Sequence, residues 1–137
     1  MRIAVTGGLG SIGRTAVAEL LARGHVVRVL DRLPEGEIAS DVAEEITGAD
    51  YIQVDITSFD ALRGTLDGID AVIHLAALAA PGMGPEHALF DINCRGSFNI
   101  YRTAADAGVQ RVVSASSINA LGYNYGIKSF PIRYFPI

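Results

Sequence analysis

The chain has 137 residues, half of them hydrophobic, with 11 basic and 15 acidic side chains and a formal net charge of −4. This length fits one domain with a real core, the hydrophobic content argues against a disordered chain, and the charge gives no footprint for nucleic acid. No apolar run is long enough to span a membrane, and a strand pattern stands where a secreted protein would have a charged leader. The single cysteine, Cys94, makes no internal disulfide; we expect it to be buried in a helix, and the protein to be cytoplasmic.

The predicted elements alternate between strands and helices. A first strand over residues 2–6 runs directly into a glycine-rich turn, and a helix follows over 11–23. The apolar pattern then predicts strands at 26–30, 50–54, 70–75 and 110–115, helices at 58–66 and 86–107, and a short helical or irregular piece between 37 and 47. Such alternation indicates an α/β fold with a doubly wound parallel sheet covered on both faces. The expected strand order is 3-2-1-4-5, with a crevice at the switch between strands 1 and 4.

Closely spaced glycines follow the first strand. Gly8, Gly10 and Gly13 fit G-x-G-x-x-G, and Gly7 replaces Gly8 in a looser version of the same pattern. Glycine is needed where the backbone turns sharply, where a pyrophosphate approaches the main chain, and where the helix packs close to the strand. Phosphates would face the unpaired N–H groups at the helix N-terminus. The turn therefore predicts a dinucleotide phosphate site, although glycine turns are also common without a ligand.

A carboxylate supports the same interpretation. Asp31 ends the second strand about 20 residues beyond the glycine turn, where dinucleotide-binding proteins use an acid to bind the ribose hydroxyls. The alternative is that Asp31 only caps a surface turn. Because strand, glycines, helix, second strand and acid occur in the required order, we predict nucleotide binding.

Two later strands also end in candidate site residues. Asp55 closes the third strand, where it is a site residue or an ordinary turn residue, and Thr57 or Ser58 is a candidate N-cap. His74 closes the fourth strand, and the small side chains of 75–77 would let the backbone run close beside a flat ligand. A histidine at a strand end is more often packed and hydrogen-bonded than catalytic. No second ligand stands near it at metal spacing, so we predict no metal site.

The fifth strand leads into Ser116 and Ser117, whose hydroxyls would face the reactive end of a cofactor and could bind a substrate oxygen. Serine after a strand is also ordinary turn chemistry. A serine hydrolase is excluded, because Gly-x-Ser-x-Gly is absent and no acid and histidine follow Ser117.

Taken together, these segments resemble the extended short-chain dehydrogenase/reductase family, the NAD-dependent epimerase/dehydratase group that acts mainly on nucleotide sugars. The resemblance rests, in order, on residues 6–13, Asp31, 55–56, 74–77, 93–97, and Ser116 through Gly122. It implies a Rossmann-like fold, NAD as cofactor, and a small-molecule sugar or nucleotide-sugar substrate. The oligomeric state is left open, with a homodimer as one alternative, and no nucleic-acid or membrane partner is expected.

The resemblance also implies roles for single residues. Those expected against the pyrophosphate are Gly7, Gly10, Ser11, Ile12 and Gly13. Those expected around the adenosine are Asp31 and Arg32 at the ribose and Asp55 and Ile56 at the adenine. Those expected on the nicotinamide side are Leu75, Ala76, Ala77, Asn93 and Ala115, with Ser117 as the catalytic serine. Asp31 should repel a 2′-phosphate and favour NAD over NADP, while the neighbouring Arg32 weakens this preference.

The chain departs from the family in one respect. The family's chemistry uses a Tyr-x-x-x-Lys pair after the serine, but Asn124 stands four residues before Lys128, and Tyr123 and Tyr125 have the wrong spacing. We therefore interpret residues 1–137 as an NAD(P)-binding domain that is incomplete at its C-terminus and inactive alone. It would be the cofactor half of an NAD-dependent sugar or nucleotide-sugar epimerase, dehydratase or dehydrogenase acting by hydride transfer. The alternative is a non-catalytic dinucleotide-binding module or redox sensor.

Overall fold

The computed structural model describes residues 1–79 and 82–117. In this part of the chain, five parallel strands form one sheet in the order β3-β2-β1-β4-β5, which confirms the predicted Rossmann-like topology. The strands are β1 (Arg2–Thr6), β2 (Val26–Asp31), β3 (Asp50–Gln53), β4 (Ala71–His74) and β5 (Arg111–Ser114). Thr6 at the end of β1 lies opposite Leu30 of β2 and His74 of β4. The carboxyl ends of the central strands therefore meet at one edge of the sheet.

Helices connect these strands. They are α1 (Ser11–Ala22), α2 (Ser40–Glu45), α3 (Glu86–Phe90) and α4 (Ser97–Asp106), and a π-helical segment (Asp91–Gly96) joins α3 to α4. Phe90, Asp91, Gly96 and Ser97 all keep right-handed helical backbone angles, so the helix predicted at 86–107 is continuous, with a wider turn in its middle. The chain leaves α1 through Gly24, whose φ of +76° gives the predicted left-handed ending.

The prediction of a helix at 58–66 is wrong. Only one 3-10 turn (Asp60–Leu62) forms there. Gly64 has a φ of +74°, which a right-handed helix cannot contain, so the helix stops after a single turn. Leu62 and Leu66 are nevertheless fully buried. Their side chains, whose spacing suggested a helix, pack in the core beneath the sheet without forming one.

The core lies on both faces of the sheet. Alternate residues of β1 point to opposite sides: Ala4 packs in a cluster with Ile100 of α4, and Val5 packs in a second cluster with Val17 of α1. All four side chains are at most 1% exposed. Helix α1 therefore covers one face and α4 the other, as the pattern of continuous apolar strands predicted.

The prediction that Cys94 is buried is wrong, since its side chain is exposed. The buried positions of this helix recur every three or four residues, at Gly96, Asn99, Ile100, Thr103 and Ala104. Cys94 falls on the opposite side. Among the helices of residues 1–79 and 82–117, none combines the length and apolar character needed to cross a membrane.

Candidate functional site

A cavity of about 810 Å³, including its open mouth, lies at the carboxyl edge of the sheet. This is where the strand order predicted a crevice. The predicted cofactor residues that line it are Gly7, Gly10, Asp31, Arg32, Asp55, Ile56, Leu75, Ala76 and Ala77. The cavity is also lined by residues that the sequence analysis missed, namely Leu30, Val54, Leu78, Met83 and Ile92. Leu30 and Val54 could have been found, because each directly precedes a predicted carboxylate.

The glycine turn brings β1 close to the loop that follows β4. Gly7 has a φ of +67°, and its N–H donates to the Leu30 carbonyl at 2.8 Å. A Cβ atom built on Gly7 would lie 2.7 Å from the backbone nitrogen of Ala76. Gly13 is buried, and a Cβ atom there would overlap the carbonyl oxygen of Gly7. Gly7 therefore forms part of the cavity wall, while Gly13 lets α1 pack beneath it.

The N-terminus of α1 is open beside this turn. Gly10 is the N-cap residue, and no side chain caps the helix. Ser11 and Ile12 are both exposed, with Ile12 70% accessible. The first N–H groups of a helix have no partner within it, and the helix dipole places partial positive charge there. A narrow glycine turn, an open helix N-terminus and a nearby cavity fit the pyrophosphate of a dinucleotide.

Asp31 caps its own turn, which was the alternative interpretation, and it also lines the cavity, so that its contact with a ribose stays a prediction. Oδ2 accepts a hydrogen bond from the Leu9 N–H at 3.3 Å. Oδ1 accepts from the N–H groups of Arg32 at 2.8 Å and Leu33 at 3.4 Å. A carboxylate has about four acceptor positions, so about one position, on Oδ2, remains for a ribose hydroxyl.

Asp55 likewise shapes a turn at the cavity edge. Its Oδ1 accepts from the Thr57 N–H and the Thr57 hydroxyl, both at 2.8 Å. Ser58 Oγ accepts from the Ala61 N–H at 3.4 Å, but the N-cap residue of the short 3-10 turn is Phe59, so the prediction of Thr57 or Ser58 as the N-cap is wrong. The neighbouring Ile56 is 6% exposed and offers an apolar edge. These residues can border a flat base but hold no titratable group in a reactive arrangement.

His74 is buried and joins two hydroxyls, which is the commoner role for a histidine at a strand end. Its Nδ1 lies 2.6 Å from Thr6 Oγ1, and its Nε2 lies 2.9 Å from Ser97 Oγ. Thr6 Oγ1 already accepts the N–H groups of Leu75 and Ala76, both at 3.2 Å. The Leu75 N–H also reaches the Thr6 carbonyl at 3.1 Å, and the Ala76 N–H bonds the hydroxyl oxygen. We therefore assign the hydroxyl hydrogen of Thr6 to Nδ1, which places the His74 proton on Nε2.

The same network continues from the other side of the imidazole. Ser97 accepts from Nε2–H and donates its own hydrogen to the Asn93 carbonyl at 2.7 Å. Every group is satisfied when His74 is neutral, and burial lowers the His74 pKa from its ordinary value. The network holds the loop after β4 and is not placed to move a substrate proton.

Asn93 supports that loop and does not line the cavity. Its Oδ1 accepts from the Leu78 N–H at 2.8 Å, and its Nδ2 donates to the Leu78 carbonyl at 3.0 Å. Leu78 does line the cavity, so Asn93 acts on the site through this backbone segment.

The residues after β5 lie at the same edge of the sheet. The Ala115 N–H donates to the His74 carbonyl at 3.1 Å, which extends the pairing of β5 with β4. Ala115 and Ser117 are exposed and are not part of the cavity wall. The catalytic role of Ser117 stays a prediction, and Gly122, Tyr123, Asn124, Tyr125 and Lys128 lie outside the described residues. Within residues 1–79 and 82–117, no group of three or more His, Cys, Asp or Glu side chains could hold a metal ion.

The arrangement defines a class of protein. A parallel sheet with a glycine turn, an open helix N-terminus and an acid at the end of β2 is a Rossmann-like dinucleotide-binding fold. A sequence model of the NAD dependent epimerase/dehydratase family matches residues 3–131, and the chain belongs to this family. The predicted family is thereby confirmed, and NAD as cofactor is confirmed at the level of the family.

Individual relatives match the chain over most of its length. It is 33% identical over 124 residues to a 3 beta-hydroxysteroid dehydrogenase/Delta 5-->4-isomerase of Monkeypox virus, covering 88% of this chain and 35% of the relative. The solved UDP-glucose-4-epimerase of Stenotrophomonas maltophila, with bound NAD and formylated UDP-arabinopyranose, is 35% identical. Its TM-score is 0.75, and the match covers 87% of this chain and 38% of that one.

A third relative is the uronate dehydrogenase of Agrobacterium tumefaciens, 27% identical with a TM-score of 0.69, covering 85% of this chain and 40% of that one. The chain thus spans between 35% and 40% of the length of these three proteins. Their names describe a steroid, a nucleotide sugar and a sugar acid as substrates. The shared part is the fold described here.

Proposed function

We propose that this chain binds NAD across the cavity and supplies the cofactor half of an enzyme that transfers hydride between nicotinamide and a carbon atom of a sugar or nucleotide sugar. One observation carries this proposal. A single cavity brings together the glycine turn, the acid that ends β2 and the small-residue loop after β4, which are the parts that a dinucleotide needs.

The adenosine end of the cofactor lies, in this proposal, beside β2 and β3. The Asp31 carboxylate accepts hydrogen bonds from the ribose hydroxyls, and Arg32 stands beside it. Asp55 and Ile56 border the adenine. A 2′-phosphate would meet the negative charge of Asp31, so NAD is preferred over NADP.

The pyrophosphate lies against Gly7, Gly10 and the first turn of α1. Ser11 and Ile12 offer backbone N–H groups there, and Gly13 allows the close approach of helix and turn. Leu75, Ala76 and Ala77 line the nicotinamide side. Asn93 and Ala115 hold this region in place through Leu78 and His74.

The chemistry requires groups beyond this cavity. A bound nicotinamide would supply the hydride chemistry, as the acceptor of a hydride from a substrate carbon and, in an epimerase, as the donor that returns it. Ser117 would hydrogen-bond the substrate hydroxyl so that it is oriented for loss of its proton. The proton acceptor would be a tyrosine outside these 137 residues, because no Tyr-x-x-x-Lys pair occurs in them. In this proposal residues 1–137 are one incomplete domain without turnover of its own, and the cytoplasmic location stays a prediction.

A sugar is the proposed substrate class because solved structures similar to the chain include UDP-glucose 4-epimerases and a uronate dehydrogenase. An L-arabinose 1-dehydrogenase of Haloferax volcanii is also 34% identical over 116 residues. Because other relatives are named as 3 beta-hydroxysteroid dehydrogenases, a 3-hydroxysteroid is the competing substrate class to test against a sugar.

The test begins with equilibrium titration of the protein with NAD and with NADP. We expect NAD to bind more tightly, and the full-length protein to turn over a sugar or UDP-sugar when NADH fluorescence or product epimers are followed. Turnover of a 3-hydroxysteroid instead would replace the proposed substrate class. NAD binding with no turnover by the full-length protein would favour the non-catalytic module, and absence of NAD binding would refute the proposal.

A further inference from the structure

Tyr51, the second residue of β3, reaches from its strand to the loop that follows β2. Its hydroxyl donates to the Leu33 carbonyl and lies 3.5 Å from the Asp31 carbonyl. A phenol has one hydrogen to donate, so the shorter contact with Leu33 is the principal bond. Gln53, two residues along the same strand, places Nε2 3.4 Å from the Arg32 carbonyl. Side chains of β3 therefore hold the carbonyl groups of the loop over residues 31–33.

The opposite side of that loop is held by Asp31. Its Oδ1 accepts the N–H groups of Arg32 and Leu33, and its Oδ2 accepts the N–H of Leu9 in the glycine turn. The loop is thus clamped between a carboxylate on its N–H side and the Tyr51 hydroxyl on its carbonyl side. Moving the Leu33 carbonyl would also move the N–H groups that orient the carboxylate.

The environment of Tyr51 keeps this donor in place. Burial, together with the negative charges of Asp31 and Glu35, raises the Tyr51 pKa to about 12. The hydroxyl therefore keeps its proton at every pH where nucleotide binding would be measured. Tyr51 does not itself line the cavity, so its influence on a bound nucleotide passes through Asp31 and Arg32.

We propose that Tyr51 is a positioning residue for nucleotide selectivity: it fixes the loop over residues 31–33 so that Asp31 meets the 2′-hydroxyl of the ribose and excludes a 2′-phosphate. This inference rests on the proposed function. Without the Tyr51 hydroxyl, the carboxylate loses its fixed direction, and the Arg32 guanidinium, one residue away, gains freedom to approach a 2′-phosphate. The expected result is a protein that binds NAD less tightly and discriminates less against NADP.

The test compares Tyr51→Phe with the unchanged protein by titration with NAD and NADP. One neutral hydrogen bond corresponds to a change of about two- to tenfold in binding, and we expect the preference for NAD to shrink by that factor. Tyr101→Phe is the matched control, because it removes the same atom from a hydroxyl that bonds Ser114 at 2.6 Å. It should leave both affinities unchanged. A Tyr51→Phe protein with the original NAD preference would overturn the inference.

Two further measurements separate positioning from general stability. In the Asp31→Ala background, adding Tyr51→Phe should change the NAD to NADP ratio less than it does in the unchanged protein, because one of the two residues through which Tyr51 acts is gone. Amide exchange of Arg32 and Leu33 in the nucleotide-free protein should become faster in Tyr51→Phe. Faster exchange with unchanged selectivity would show a structural role only and would overturn the inference.

Failure of the proposed function gives a different result. If the unchanged protein binds neither NAD nor NADP, the proposed function is refuted and this inference falls with it. If the unchanged protein prefers NAD and Tyr51→Phe preserves that preference, only the inference on Tyr51 is refuted.

Discussion

Asn93 binds the backbone of Leu78 through both ends of its side-chain amide, at 2.8 Å to the N–H and 3.0 Å to the carbonyl. An asparagine amide has the same donor and acceptor as a backbone peptide, so it can replace a strand partner for a loop that has none. This contact ties the π-helical segment to the cavity wall. The contact therefore joins the helix and the loop after β4 into one unit.

Asn93→Asp should loosen this unit. The variant keeps an acceptor for the Leu78 N–H but turns a carboxylate oxygen toward the Leu78 carbonyl, so that two acceptors face each other. We expect a loss of about 1–3 kcal/mol in the free energy of unfolding, measured by urea denaturation, and weaker NAD binding. Arg95→Ala, on the same segment and exposed, should change stability by no more than about 0.5 kcal/mol. Equal stability of the two variants would contradict the prediction.

Stability should fall at mildly acidic pH because of His74. Burial lowers the pKa of the folded state below the ordinary value of 6.5, so the unfolded chain binds a proton first as pH falls. The stabilisation from neutral His74 is therefore complete above pH 6.5 and is lost as pH falls toward the lowered pKa. The ordinary histidine pKa of about 6.5 lies within the range from about pH 5 to 8. Across that range, the unfolding temperature should depend less steeply on pH in His74→Gln than in the unchanged protein. His87→Gln, at an exposed position, should keep the original dependence.

Gly13→Ala should damage both packing and binding. A Cβ atom there overlaps the Gly7 carbonyl and approaches Gly8 Cα at 2.7 Å, and both are backbone atoms that cannot rotate away. We expect destabilisation of about 1–3 kcal/mol, the usual cost of overpacking, and reduced NAD affinity because the turn is displaced. Gly36→Ala is the control, since a Cβ atom at Gly36 meets nothing within 4 Å. An unchanged unfolding midpoint in Gly13→Ala would contradict this account of the turn.

Asp31→Ala should weaken NAD more than NADP. It removes a charged acceptor for the ribose hydroxyls, and hydrogen bonds to charged groups contribute about 1.5–3 kcal/mol, which corresponds to roughly 10- to 150-fold in affinity. The charge that repels a 2′-phosphate is removed as well, so NADP should lose less affinity. Asp60→Asn is the control for the titration. The Asp60 side chain is 85% exposed, and among the ion pairs of the described residues it pairs only with Arg63. Equal losses for both nucleotides would argue against contact between Asp31 and the 2′ position.

The sheet could be predicted from local sequence patterns because the features that define it depend on residues that are close in the sequence. The apolar strands, Gly24 and the glycines before α1 depend on neighbouring residues, and the strand order follows from right-handed crossovers. The helix at 58–66 failed because Gly64 takes a left-handed conformation that apolar spacing does not reveal. The predicted burial of Cys94 failed because burial depends on which side of the helix packs against the sheet, and Cys94 lies on the other side.

The supporting contacts of the site could not be predicted from local pattern. Thr6 and His74 are 68 residues apart in the sequence, yet their side chains lie 2.6 Å apart because β1 and β4 are neighbours in the sheet. Tyr51 was similarly invisible, since only the pairing of β2 with β3 brings its hydroxyl to Leu33. Local sequence patterns predicted most of the residues that line the cavity, whereas the contacts that support those residues depend on tertiary pairing.

Because of the wide turn at Asp91–Gly96, the number of residues in this helix determines which side chains face the cavity wall and which face the core. On its two sides, Asn93 must face Leu78 while Ile100 faces the core beneath the sheet. One residue corresponds to a rotation of roughly 100° about a helix axis. Deleting a single residue between these two positions would therefore turn one of them toward solvent. Substitutions at the exposed positions of this segment should be tolerated in natural variants, whereas insertions and deletions there should not.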